Sequence, residues 1–204
     1  MYIEEQKKIV TEIITPKMNN LGFKKSSYNY YKKVDDTLGI CFNLQPNKYN
    51  DQEEVRFTFN VGTFVPNAYE VYINLNSNNE LPKFPKEYNC IERKRIGNLK
   101  KTTDLWYTLN PSTDIETVHK EVSNDLDHYI IPYIQGINQR KLLETSDETL
   151  GWPDKIILTI YKIQNGLVTE GNDTLKKLYR NKPNHYIAEQ IMKIASKYNM
   201  SVEQ

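Results

Sequence analysis

One stretch constrains the fold more than any other: Val55, Phe57, Phe59 and Val61 alternate with Arg56, Thr58 and Asn60. A period of two puts the apolar residues on one face of a strand and the polar ones on the other. Strands of this kind belong to an antiparallel sheet covered by helices on one side, because a parallel sheet is buried on both faces. The same alternation appears upstream, where Tyr28, Tyr30 and Lys32 precede an Asp35-Asp36 turn and then Leu38, Ile40, Phe42 and Leu44, the pattern of a hairpin. Downstream, Cys90 to Leu99 and Leu105 to Asn110 read as two further strands joined by the polar Lys100-Lys101-Thr102-Thr103. About five strands result.

Helices frame this sheet. Ile3, Val10, Ile13, Ile14 and Met18 recur at helical spacing and predict a helix from Tyr2 to Asn20, closed by Gly22 and kinked or cut short by Pro16. Pro66 to Ile73 reads as a short helix and Asn74 to Pro85 as a loop. Thr113 with Glu116 forms a capping-box pattern for a helix whose inner face is Ile115, Val118, Val122, Leu126 and Ile130, with Pro132 as its expected end. Beyond Gln135 the strand signals stop. Pro153 to Asn165, Asn172 to Tyr179 and Pro183 to Tyr198 predict helices separated by Gly166, Gly171 and Asn181-Lys182-Pro183. The expectation is an α+β protein: a core domain over 1–135, with an antiparallel sheet of about five strands, an N-terminal helix and a following helix on one face, and a helical C-terminal extension over 136–204.

Composition narrows the function classes. With 27 Lys plus Arg against 26 Asp plus Glu, no global field draws in nucleic acid or anionic lipid. No apolar run approaches the roughly 20 residues of a membrane span. Glu4, Glu5, Lys7 and Lys8 near the start are unlike a secretory leader, so the expected location is the cytoplasm. Cys41 and Cys90 are expected as reduced thiols. The wealth of Asn, Lys, Ile and Tyr fits the codon usage of an AT-rich bacterial genome.

No Cys-x-x-Cys, His-Glu-x-x-His, glycine-rich phosphate loop or Gly-x-Ser-x-Gly occurs, and neither a cofactor nor a metal is expected. Three polar groupings remain. Glu121, Asp125 and His128, at i, i+4 and i+7 of one helix, have ligand chemistry but read first as a solvated stripe. Lys24, Lys25, Tyr28, Tyr30, Tyr31, Lys32 and Lys33 could neutralise phosphates and stack bases, though Lys and Tyr are also ordinary on an edge strand. The third is the polar sheet face itself. Asn43, Gln45, Arg56, Thr58 and Asn60 must share it, Arg93 and Arg95 lie together on a neighbouring strand, and Trp106 follows on the next. Guanidinium groups beside an indole suit a carboxylate or phosphate, on a small acidic ligand or a protein partner. The bland account is pairing of those arginines with Glu54, Glu92 or Asp104. The candidate ligand-binding set is therefore Arg56, Arg93, Arg95, Trp106, Asn60 and Glu54, read as a non-enzymatic interaction surface. The rival is a hydrolase or phosphoryl-handling enzyme with Glu54 or Asp104 as base and the arginines as anion clamps. Single-stranded nucleic-acid binding is the third reading.

Leu21-Gly22-Phe23-Lys24-Lys25 with Tyr30-Tyr31-Lys32, then Glu54 to Gly62, then Arg93-Lys94-Arg95-Ile96-Gly97-Asn98-Leu99 with Asp104-Leu105-Trp106-Tyr107, resemble in order and spacing the bacterial domain of unknown function 4304 family over residues 5–135. The resemblance implies the α+β core and its boundaries but carries over no activity, ligand or catalytic residue. It leaves room for an immunity-like binding role of the kind found among small bacterial domains near toxin systems. The C-terminal helices fall outside it.

Overall fold

The computed structural model describes residues 2–181 and 183–202. The alternating segments form an antiparallel sheet, six-stranded among the described residues: β1 (Lys24–Ser26), β2 (Asn29–Lys33), β3 (Gly39–Pro46), β4 (Val55–Phe64), β5 (Ile91–Arg95) and β6 (Tyr107–Leu109). Neighbours follow the order β1-β2-β3-β4-β5, and β6 joins the same edge of β4 as β5, opposite Val55–Phe57 where β5 takes Asn60–Thr63. Sharing that edge is why β5 and β6 are shorter than the sequence suggests. Ile96–Leu99 is not strand but a helical turn, α4, opened by Asn98 Oδ1 accepting the Arg95 backbone N–H at 3.1 Å. The region from Lys24 to Lys33 is two strands rather than one, turned through Ser27 at positive φ.

The chain forms two compact units. The first takes in the residues up to Phe64 together with Phe84–Asn138; the second takes in Val65–Lys83 and the residues from Gln139 onward. In the first unit, Ile40, Phe42, Leu44, Val55, Phe57, Phe59 and Val61 face a core completed by two helical stretches on that side of the sheet. One is α1 (Tyr2–Lys8), a π turn at Ile9–Ile14 and α2 (Thr15–Asn20); the other is α5 (Ile115–Asp125), a π turn at Leu126–Ile130 and α6 (Ile131–Gly136).

Neither proline ends its helix. Pro16 and Pro132 each stand at the second residue after a π turn, where the wider i→i+5 closure, Thr15 N–H to Val10 and Ile131 N–H to Leu126, relieves the clash a proline ring makes one turn back. The α5 cap is Asp114, accepting from Glu116 N–H at 3.1 Å, while Thr113 turns its hydroxyl to Asn110; the expected Thr113 box is displaced by one residue.

The second unit is helical among its described residues: α3 (Pro66–Ile73), α7 (Gln139–Leu143), α8 (Trp152–Gln164), α9 (Val168–Arg180) and α10 (His185–Lys197). Helix α8 is its buried axis, covered from Ile156 to Ile163. Gly171 does not separate helices. It lies within α9 where a Cβ would sit 2.3 Å from Ile163 Cγ1, so the glycine sets the close approach of α9 to α8. The expected break at Asn181-Lys182-Pro183 does end α9, and Lys182 lies outside the described residues. Among the described residues, no helix is long and apolar enough to cross a membrane.

Candidate functional site

The face of the sheet turned away from the helices has two halves. Over one, the segment from Phe84 to Cys90 lies on the strands: Tyr31 makes edge contacts with Phe64 and Phe84, and Cys41 donates to the Pro85 carbonyl at 3.5 Å. A Cβ on Gly62 would meet Cys90 Cβ at 2.5 Å, so only glycine lets the segment lie this close. Cys41 and Cys90 are both free and buried, and burial pushes the Cys90 thiol up, assisted by the adjoining Cys41.

The other half is polar. The strand register places Asn60 between Asn43 and Arg95, Thr58 opposite Gln45, and Arg56 opposite Thr108, one residue beyond Tyr107 from Trp106. Arg95 is the hub. Its Nε donates to Asn60 Oδ1 at 3.2 Å, its Nη2 to Gln45 Oε1 at 3.3 Å, and its Nη1 to both oxygens of Asp104 at 2.8 Å. Asp104 Oδ2 also accepts the Trp106 indole N–H at 2.9 Å. Hydrogen bonds from Arg95 and Trp106 hold the Asp104 carboxyl below its ordinary range. Asn60 Nδ2 continues the network to Gln45 Oε1 at 2.9 Å and Asn43 Oδ1 at 3.3 Å, and Asn43 reaches Asn29 at 3.0 Å.

Trp106, fixed by Asp104, carries two guanidinium groups over its ring, Arg56 at 5.7 Å and Arg95 at 5.6 Å from the centroid. Their situations differ. Arg95 is engaged with the protein's own acceptors, whereas Arg56 makes no ion pair among the described residues and its Nε is buried with no hydrogen-bond partner. Thr58 Oγ1, on the same face of β4, is also buried without one. Beside Trp106 opens a cleft of about 280 Å³ lined by Gln45, Pro46, Asn47, Lys48 and Tyr49, with Tyr49 exposed at 77% and Lys48 Nζ over its ring at 4.6 Å.

Of the residues singled out from sequence, Arg56, Asn60, Arg95 and Trp106 thus meet in one cluster with Asp104. Arg93 lies on the same face, its Cγ 3.3 Å from where a Gly62 Cβ would be, facing Glu87. Glu87 is a half-buried carboxyl raised by burial and drawn back by the charges of Arg93 and Arg95. Glu54 directly precedes β4, two residues before Arg56, and accepts from Asn110 Nδ2 at 3.2 Å. Glu87, Lys48 and Tyr49 were not visible from sequence: each lies in an irregular segment where no periodicity assigns a face. A weak signal existed in Lys48-Tyr49, since the β3–β4 connection must emerge beside Gln45.

The other two groupings do not assemble. Asp125 is not on a solvated stripe. It is 1% exposed, three residues after the core-facing Val122, and holds Lys100 Nζ at 2.8 Å and the Tyr107 hydroxyl at 2.6 Å. Glu121 and His128 are exposed without it, and no group of three or more His, Cys, Asp or Glu among the described residues could hold a metal ion. In the lysine and tyrosine region, Tyr30 is a core residue bonded to Thr15, Tyr28 is half buried against Gln6, and Tyr31 packs on Phe64.

No curated protein and no solved structure matches the chain. The family described as Domain of unknown function (DUF4304) matches residues 14–136, a stretch that runs from the first π turn to the end of α6 and contains every strand and every residue of the arginine and tryptophan cluster. By that match over more than half its length, the chain belongs to the DUF4304 family.

Proposed function

We propose that the chain is a non-catalytic binding protein that takes a carboxylate-bearing partner, a protein or a small acidic ligand, on the polar sheet face at Arg56 and Trp106. The observation that carries this reading is the state of Arg56: a guanidinium laid over an indole, beside a cleft, without an acceptor among the described residues. A half-buried cation left this way gains a charge-assisted hydrogen bond when an acid arrives. Lys48 at the cleft adds a second positive charge and Tyr49 an exposed ring. Arg95, with Asp104, Asn60 and Gln45, positions Trp106 rather than meeting the ligand.

Catalysis by Asp104 is the weaker reading, because a carboxyl held low by Arg95 and Trp106 is a poor proton acceptor near neutral pH. Base stacking is weaker still, since Tyr28, Tyr30 and Tyr31 pack within their own unit. In a bacterial cytoplasm, the setting this reading assumes, the partner is an acidic protein and the role is immunity-like.

Affinity capture from a lysate of the native host, with wild-type chain and the folded Arg56→Glu variant side by side, tests this. A central arginine at an interface accounts for about 2 kcal/mol or more, so the partner recovered by wild type should be lost from Arg56→Glu. Equal recovery by both rejects this face as the binding surface.

A further inference from the structure

The second unit holds an open cavity of about 820 Å³ lined by α7, the turn after it, α8 and α9. It lies outside residues 14–136, so whatever it does is not set by the family's shared domain. Its volume is within the roughly 300–1,000 Å³ of small-molecule sites.

On its wall stands Lys162, 9% exposed in the last turn of the buried helix α8. An ammonium is withdrawn from water at a cost of several kcal/mol and is retained only where acceptors surround it. Lys162 Nζ has two, the Thr145 carbonyl at 3.1 Å and Glu170 Oε1 at 2.8 Å, while an ammonium carries three donors. The remaining N–H has no acceptor among the described residues, at a residue that lines the cavity.

The charges around it are unequal. Lys162 pairs with Glu170, and Arg140 pairs with Glu144 at 2.9 Å. Asp147, also on the wall, makes no ion pair among the described residues, so one negative charge is left uncompensated. Leu143, Leu158 and Leu167 supply an apolar surface between these polar ends. A plain anion would meet three carboxylates, and a plain amine would leave the Lys162 donor empty. A ligand carrying both groups answers both.

We propose that this cavity binds a small aliphatic zwitterion, a free amino acid or dipeptide, with its carboxylate on Lys162, its ammonium on Asp147 and its side chain against the leucines. The site is independent of the sheet face and stands or falls separately from it.

Calorimetric titration of the full chain with a matched set decides the matter: L-leucine and leucyl-leucine as zwitterions, 3-methylbutylamine lacking the carboxylate, and 4-methylpentanoate lacking the amine. At least one zwitterion should bind, with amine and acid each about ten-fold weaker or more, the loss of one charge-assisted bond. Asp147→Asn, at a turn outside the helices, should weaken the zwitterion by a similar factor without moving the melting temperature. Lys162→Met should weaken it too, but because Lys162 is built into α8 the Asp147 variant is decisive. Absence of binding by both zwitterions at millimolar concentration overturns the proposal, as does equal binding of the amine or the acid, or full affinity in Asp147→Asn.

Discussion

Arg56 stands on β4 and Arg95 on β5, both over the Trp106 ring and with the same charge, yet only Arg95 is satisfied by the acceptors of the described residues, through Asp104, Asn60 and Gln45. The same contrast between an engaged and an unengaged group decides which buried residues stabilise the fold. On the helix side, Asp125 is fully enclosed and takes a lysine and a phenol: Lys100 Nζ at 2.8 Å and Tyr107 Oη at 2.6 Å. Burial and the Asp125 carboxylate push the Tyr107 phenol far above its ordinary range, so it acts as a fixed donor. Removing one partner of a buried pair leaves an uncompensated charge, which costs more than the pair itself contributes. Lys100→Met should therefore lose about 3 kcal/mol, and Tyr107→Phe, which removes one of several bonds, about 1–2 kcal/mol. Urea unfolding at neutral pH measures both. A Tyr107→Phe loss exceeding that of Lys100→Met would mean that the hydroxyl, not the ammonium, balances Asp125.

Both helical stretches of the first unit repeat one device that was present in the sequence and unread. Tyr2, Gln6, Val10, Ile14 and Met18 are all buried, as are Val118, Val122, Leu126, Ile130 and Ile134, each series at a constant spacing of four. In a regular α-helix, four such steps drift about 160° around the axis, which would carry the last residue to the opposite face. A π turn absorbs the drift by adding a residue, and each one ends two residues before a proline. The strands were legible because a period of two assigns faces without ambiguity. The π turns were not, because a proline in a helical pattern ordinarily signals an end. Deleting the exposed His128 removes the extra residue and leaves a spacing of four, four, three and four, suited to a plain α-helix, but it then places Pro132 in the helix interior. The deletion should destabilise by about 3 kcal/mol, and Pro132→Ala added to it should restore most of that loss in thermal unfolding followed by circular dichroism. Failure of the second change to rescue the first would mean that the turn serves something other than the proline.

At the scale of the whole molecule, the contribution of Val65–Lys83 to the helical unit was not legible in the sequence, because a short helix between two strands carries no mark of which core it joins. The cluster at Trp106 was legible for a related reason. Arg56, Asn60 and Arg95 lie on strands and Trp106 directly precedes one, whereas the cavity at Lys162 is formed by side chains from separate helices and a turn, whose convergence no local pattern encodes. The insertion makes a strong test of independence. Phe64 and Phe84, at its two ends, both contact the Tyr31 ring, at 6.2 and 6.0 Å between centroids, so a short glycine and serine linker can replace residues 65–83. A chain ending at Asn138 with that replacement keeps the first unit's hydrophobic cluster, all six strands and the Arg56–Trp106 contact. It should unfold in a single cooperative transition with native near-ultraviolet dichroism, and it should retain Arg56-dependent capture of the partner. A product with helical far-ultraviolet signal, no near-ultraviolet signal and strong dye binding would instead be a molten state, and would show that the strand-bearing unit depends on the helical one for its packing.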